Sequence, residues 1–181
     1  MKYNKNVTLK DGRSCLLRNG EAADGAEVLA VFNQTHAETD YLLTYPDEST
    51  MTEEQESAYL AEATASPDAI EICAIVDGKT VGTAGFSPVG RAEKLRHRAE
   101  FGIGILKAYW GLGIGRALLE ACIECARQAG YAQLELDVVA DNASAIALYH
   151  KLGFVEYGRN PKGFCSRTAG WQELVLMRKE L

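Results

Sequence analysis

The run Gly111-Leu112-Gly113-Ile114-Gly115 lies where a β-rich stretch gives way to a helical stripe, and it constrains the fold more than any other feature of the chain. Ahead of it, Ala99 to Leu106 reads as a strand carrying Gly102 and Gly104, glycines that suggest a bulge or a close approach to the backbone. Behind it, Gly113 to Gln128 has helical periodicity, with Ile114, Leu118, Ala121, Cys122 and Cys125 on one face. Glycines spaced this way let successive N–H groups point to one side without Cβ obstruction. At a helix N-terminus such donors, together with the macrodipole, favour an anion, and a diphosphate suits them. Two other phosphate loops do not fit. The last glycine of a dinucleotide fingerprint is replaced by Arg116, and Gly115-Arg116-Ala117 lacks the Gly-Lys-Ser/Thr ending of a P-loop. A turn that only tightens a strand–helix corner is the plain alternative.

The rest of the chain supplies elements on either side. Ser14 to Arg18 reads as a strand, Glu21 to His36 as a helix, and Thr39 to Met51 as a loop. A second helix is predicted from Thr52, its N-cap, to Ala65. Ile70 to Val76 and Lys79 to Phe86 form a hairpin across Asp77-Gly78. Beyond the glycine run come a strand from Ala132 to Val139, a helix from Asn142 to Leu152, and strands at Phe154 to Gly158 and Trp171 to Arg178. The order β-α-α-β-β-β-α-β-α-β-β predicts an α/β sheet with helices on its faces and antiparallel hairpins. No linker or repeat divides it, so one domain over residues 1–181 is expected.

Composition narrows the function. A net charge of −6 argues against nucleic acid as a partner. No apolar run approaches the roughly 18 residues of a membrane span, and Met1 to Lys10 lacks a signal-peptide core, so a cytoplasmic protein is expected. The five cysteines are an odd count, as for free thiols in a reducing compartment. Cys122 and Cys125 form a C-x-x-C, but no second pair follows and His36, His97 and His150 are scattered. A metal site normally needs about four converging ligands. Both cysteines are therefore read as small core residues, and no metal is expected.

About thirty residues after the glycine run comes Asp141-Asn142-Ala143-Ser144-Ala145-Ile146-Ala147-Leu148-Tyr149-His150-Lys151-Leu152-Gly153-Phe154. With this second run the chain resembles the GCN5-related N-acetyltransferase (GNAT) superfamily. Trp110 to Arg116 resembles its CoA pyrophosphate loop, and the later run its N-x-x-A-x-x-L-Y-x-K-x-G-F segment. The close match covers Ala99 to Tyr157. Trp110 departs from the pattern, which has Gln or Arg there, and this removes one polar contact to the cofactor. The resemblance implies a mixed, mostly antiparallel sheet of about seven strands, splayed between the fourth and fifth, with about four helices. It implies acetyl-CoA as cosubstrate, with the backbone of Ile103, Gly104 and Ile105 beside the pantetheine arm. Gly111, Leu112, Gly113, Ile114, Gly115 and Arg116 would wrap the pyrophosphate, and Asn142 would approach the pantetheine or phosphate end unless it serves only as a helix N-cap.

By the same resemblance the reaction is N-acetylation of an amine in a ternary complex. Tyr149 is the implied general acid for the leaving thiolate, against a plain reading as a packed helix tyrosine. Glu100 and Asp137 each resemble a strand carboxylate used as general base, Glu135 shares the face of Asp137 by alternation, and a water chain is a further option. A backbone N–H near Ile105 or Leu106 would hold the oxyanion. The acceptor, a small-molecule amine or a protein amine, would be chosen by Asn33 to Met51 and Arg159 to Gly170. Arg91 to Arg98 is read as a solvated basic loop rather than an anion site. A homodimer is left open. The competing readings are a non-catalytic acyl-CoA-binding or sensor protein with the same fold, and a Rossmann-type nucleotide binder.

Overall fold

Eight strands and four helices make up the computed structural model, which describes residues 1–181. The strands are β1 (Asn4–Thr8), β2 (Ser14–Asn19), β3 (Ile70–Val76), β4 (Lys79–Pro88), β5 (Arg98–Ile105), β6 (Gln133–Val139), β7 (Val155–Ser166) and β8 (Gly170–Glu180). The helices are α1 (Gly25–Glu38), α2 (Glu53–Ala65), α3 (Ile114–Gln128) and α4 (Ala143–Lys151). Local chemistry sets several boundaries. Asp77 and Gly78 both take positive φ, 52° and 76°, in the tight turn that matches strand twist between β3 and β4. Thr52 Oγ1 accepts from Gln55 N–H at 3.3 Å while Gln55 Oε1 accepts from Thr52 N–H at 2.9 Å, a reciprocal cap on α2.

The strands form one sheet in the order β1-β2-β3-β4-β5-β6-β8-β7. Every pairing is antiparallel except β5 with β6. That parallel pairing lasts only from Arg98 opposite Gln133 to Glu100 opposite Glu135, after which the two strands part. The splay falls where the family resemblance puts it, between the fourth and fifth strands of the sequence reading, now β5 and β6. The sheet corrects that reading in two places. It has eight strands rather than about seven because Asn4–Thr8 pairs with β2, and β7 runs on to Ser166, through much of a segment expected as a loop. Both are exposed edge strands without a buried, alternating face, which is the signal that periodicity depends on.

Side-chain alternation gives the sheet two unlike faces. Ala99 and Phe101 of β5 join Leu134, Leu136 and Val138 of β6 in the main core, under Leu118, Leu119 and Cys122 of α3. Cys122 and Cys125 are both buried in that core. The opposite face of β5 carries Arg98, Glu100, Gly102 and Gly104, and that of β6 carries Gln133, Glu135 and Asp137.

On this second face Arg98 grips Glu135 with two bonds, Nε to Oε1 at 2.5 Å and Nη2 to Oε2 at 2.7 Å. Gln133 Nε2 adds a third donor at 2.8 Å. These donors hold the Glu135 carboxyl below its ordinary range. The pair therefore adds stability above the unfolded carboxyl pKa of about 4.3 and loses it as pH falls through the lower folded value. Arg98→Met, which leaves Glu135 buried without its cation, is expected to cost about 3 kcal/mol at pH 7. The loss should shrink steadily below pH 4 in urea titrations. A pH-independent loss would mean that the charge pair is not its source.

Candidate functional site

Hydrogen bonding across β4 and β5 decides which backbone groups the splay leaves open. Leu106 N–H donates to Val81 C=O at 2.9 Å and Val89 N–H to Arg98 C=O at 3.1 Å, at opposite ends of one antiparallel register. Alternation between these ends commits the polar groups of Glu100, Gly102 and Gly104 to β4. The N–H and C=O of Ile103 and Ile105 point the other way, towards the gap left by β6. Leu106 N–H is thereby spent on Val81, which corrects the expectation that it could hold an oxyanion. The Ile105 N–H remains. Gly104 lies on the same strand, but its N–H and C=O face β4, and α1 packs over it through Thr35.

The glycine run adjoins this edge. Gly111 and Gly113 take φ of 77° and 98°, conformations that L side chains rarely adopt. Gly113 is the N-cap of α3 and no side chain caps the helix. None of the six N–H groups from Gly111 to Arg116 donates to a backbone acceptor. The carbonyl of Leu112 is turned back to accept from Lys10 N–H at 3.1 Å, so the turn between β1 and β2 braces the loop from behind. Gly115 sets how close the loop comes: a Cβ there would meet Ile105 Cδ1 and Leu148 Cδ2, both at 3.4 Å. The arrangement is a row of free donors at a helix N-terminus, continuous with an open strand edge.

Trp110 is not an idle departure from the family pattern. Its indole Nε1 donates to Ile105 C=O at 2.7 Å, fastening the loop to the end of β5 and occupying one acceptor of the open edge. The sequence offers no signal for this bond, because it depends on how the chain turns after β5.

Across the gap, Asn142 Oδ1 accepts from Ala145 N–H at 3.2 Å and caps α4, as its plain reading expected, leaving its amide nitrogen free. Tyr149 of α4 is buried, with 6% of its surface exposed, against Phe101 and Phe154 at ring-centroid distances of 6.5 and 5.8 Å. Its hydroxyl has no hydrogen-bond partner in the protein and is not among the fully enclosed polar atoms. Burial raises its pKa above the usual phenol value, so Tyr149 keeps its proton at neutral pH.

The carboxylates occupy the other face of the same gap. Glu100 is exposed at the last paired position and Asp137 is exposed two residues beyond Glu135 on β6. Partial desolvation of its carboxyl where it meets the sheet, then the charge of Glu135, raises the Asp137 pKa. Glu135 is tied to Arg98 and is poorly placed to accept a proton. Arg98 thus leaves the basic loop expected from the sequence.

The two segments expected to choose the acceptor come together. Asp40, after α1, accepts from Ser166 Oγ at 2.5 Å, Thr168 Oγ1 at 3.1 Å and Tyr45 Oη at 3.1 Å. Tyr45 Oη in turn accepts from Arg167 N–H at 2.8 Å. A cavity of about 210 Å³ opens between Leu42, Tyr45, Phe164 and Ser166.

Comparison with known proteins bears on this geometry. The family model described as "Acetyltransferase (GNAT) family" matches residues 34–154. An acetyltransferase of GNAT family from Streptococcus pneumoniae superposes with a TM-score of 0.88 at 32% identity, covering 92% of this chain and 99% of that one. The yncA protein of Salmonella typhimurium, solved with its cofactor acetyl-CoA, has the same fold, with a TM-score of 0.81 at 24% identity over 91% of this chain and 92% of that one. The N-alpha-acetyltransferase RimI of Mycobacterium tuberculosis is 40% identical over 94 residues, 52% of this chain and 57% of that protein. The chain thus spans little more than half the length of that curated relative.

A carboxylate placed among the loop donors should repel a diphosphate. Gly113→Asp is expected to weaken CoA binding by about tenfold or more by calorimetry, through like charge at the helix N-terminus. Gly113→Asn, which tolerates positive φ without the charge, should lose far less. Equal losses would assign the effect to backbone strain alone.

Proposed function

The chain belongs to the GNAT family of acetyltransferases, and on that premise we propose that it transfers the acetyl group of acetyl-CoA to a primary amine by direct attack in a ternary complex, as one domain over residues 1–181. The observation that carries this reading is the continuity of free donors from Gly111 to Arg116 with the open edge at Ile103 and Ile105. A diphosphate joined to an extended arm with amide groups matches both parts. Gly111, Leu112, Gly113, Ile114, Gly115 and Arg116 hold the pyrophosphate through their N–H groups. Ile103 pairs with the arm through its N–H and C=O as an added strand would, Ile105 meets the thioester carbonyl through its N–H because its C=O is held by Trp110, and Asn142 offers its free amide nitrogen from the far side.

Acetyl-CoA supplies the activated acyl group, and this chain's residues do the rest. Ile105 N–H, held rigid by the sheet, is the donor for the developing oxyanion. Tyr149, kept protonated by burial, returns a proton to the departing thiolate. The face bearing Glu100 and Asp137 attracts the acceptor ammonium, and a carboxylate of that face accepts its proton. Cys165 is the one exposed cysteine and no cysteine is needed as nucleophile. The cavity bounded by Asp40, Tyr45 and Ser166 suits an acceptor group beyond the amine. The name of the Mycobacterium tuberculosis relative supports an α-amine as one candidate acceptor.

Thiol release from acetyl-CoA over a panel containing an alanyl peptide, spermidine and a free amino acid tests the assignment. Turnover with at least one amine is expected, and tight acetyl-CoA binding without turnover on any would favour a sensor. For the active amine, Tyr149→Phe should lower kcat by about 10² while acetyl-CoA affinity changes little. Loss of both in equal measure would make Tyr149 a packing residue only.

A further inference from the structure

Glu71 of β3 is a carboxylate that the mechanism above does not use. It lies on the sheet face that carries Glu100 and Asp137, directly across from Gly85 of β4, whose own partner is Gly102 of β5. A Cβ at Gly85 would overlap Glu71 Oε2, so the carboxylate folds over that glycine towards β5. A Cβ at Gly102 would meet no heavy atom within 4 Å. Gly102 is also the second residue past the last β5–β6 pair, at the fork of the splay. In the row Glu71–Gly85–Gly102 the two positions between the carboxylate and the fork therefore carry no side chain of their own.

The surroundings suit a proton acceptor. Tyr59 Oη of α2 donates to Glu71 Oε2 at 3.5 Å, and Thr83 of β4 offers its hydroxyl from the same face. The other titratable neighbours are Glu56 of α2, which is buried, Cys73, two residues on in β3, and Cys122 of α3 on the other face of the sheet, both thiols being raised by burial and by the charge of Glu71. Glu71 forms no ion pair, and Glu56 adds like charge. Desolvation, with Glu56, pushes the Glu71 pKa up to about 7, while the hydroxyls of Thr83 and Tyr59 act against the shift. A carboxylate with that affinity can take a proton at neutral pH and release it again.

We propose that Glu71 is the group that finally accepts the proton lost by the acceptor ammonium, through water resting over Gly85 and Gly102. This rests on the acetyltransfer reading above. Glu100 and Asp137 hold the ammonium at the fork. One proton passes from nitrogen through water to Glu71. The freed nitrogen lone pair forms the C–N bond, the C–S bond breaks with its electrons on sulfur, and Tyr149 protonates that sulfur. The amide nitrogen's remaining surplus proton leaves to solvent, Glu71 later does the same with its own, and Tyr149 recovers one, so the net change is one amide, one thiol and one proton released from the ammonium.

The test is the pH profile of kcat/KM for acetyl-CoA with the fastest amine of the panel, in wild type, Glu71→Gln, Glu100→Gln and Asp137→Asn. Wild type should rise with pH through about 7, the value carried by Glu71. Glu71→Gln should fall about 10²-fold at pH 7, lose that limb, and recover towards high pH as the amine sheds its own proton. Stability gives an independent readout. The folded state holds the Glu71 proton up to about pH 7 whereas an unfolded carboxyl releases it near 4.3. Wild-type stability therefore falls as pH rises through that window, and Glu71→Gln should raise Tm more at pH 8 than at pH 4. Retention of the limb in Glu71→Gln, or its removal by Glu100→Gln or Asp137→Asn instead, would overturn the proposal. A wild type that turns over no amine would remove the acetyltransfer reading itself, a result distinguishable from turnover with an unchanged limb.

Discussion

The three parallel rungs between β5 and β6, locked by the two bonds from Arg98 to Glu135, are the constraint on which the rest of the structure depends. They hold the strands together at one end and let them diverge beyond Glu100. A continuous ladder would consume the polar groups of Ile103 and Ile105 and leave no edge inside the sheet. With the ladder cut short, those groups face a gap flanked by α3 and α4. An open strand edge is normally an aggregation hazard. Here it lies inside the fold, where a ligand of strand-like shape can satisfy it.

The gap separates two chemistries by sheet face. On the side of α3 and α4 are the loop donors, the apolar side chains of Ile103 and Ile105, and a tyrosine held protonated by burial. On the side of α1 and α2 are Glu100, Asp137 and Glu71, over a floor of glycines. An anionic, amide-bearing molecule suits the first side and a cation suits the second. Trp110 and Lys10 contribute from outside the gap: one ties the loop to Ile105, the other braces its Leu112 carbonyl. Both hold the donor row in place, and donors already ordered bind an anion at a lower entropic cost than mobile ones.

Much of this was legible from residue patterns, because the responsible elements are strongly periodic or carry glycine where φ is positive. The β3–β4 hairpin follows from Asp77-Gly78, α3 from its apolar stripe, and the donor row from Gly111, Gly113 and Gly115. The run from Asp141 to Phe154 marks α4, on which Tyr149 packs against Phe101 of β5. Edge strands were the weak point: β1 and most of β7 bury no alternating face, so nothing in their sequence separates them from loop. The site residues that were missed share another property, which is that their roles depend on neighbours distant in sequence. The bond from Trp110 to Ile105 and the brace from Lys10 depend on how turns fold back. Glu71 reads as an ordinary strand charge until Gly85 and Gly102 are seen to lie beside it. Alternation puts Glu135 on the face of Asp137, and only the fold brings Arg98 against it.

In the complex we propose, the arm of acetyl-CoA completes the sheet at Ile103 and Ile105. Amide hydrogen exchange at these two residues, with and without saturating acetyl-CoA, tests it most directly. Both N–H groups should exchange readily in the free protein and be strongly slowed by the ligand, together with those from Gly111 to Arg116. Slowing confined to the loop, with Ile103 and Ile105 unchanged, would contradict it.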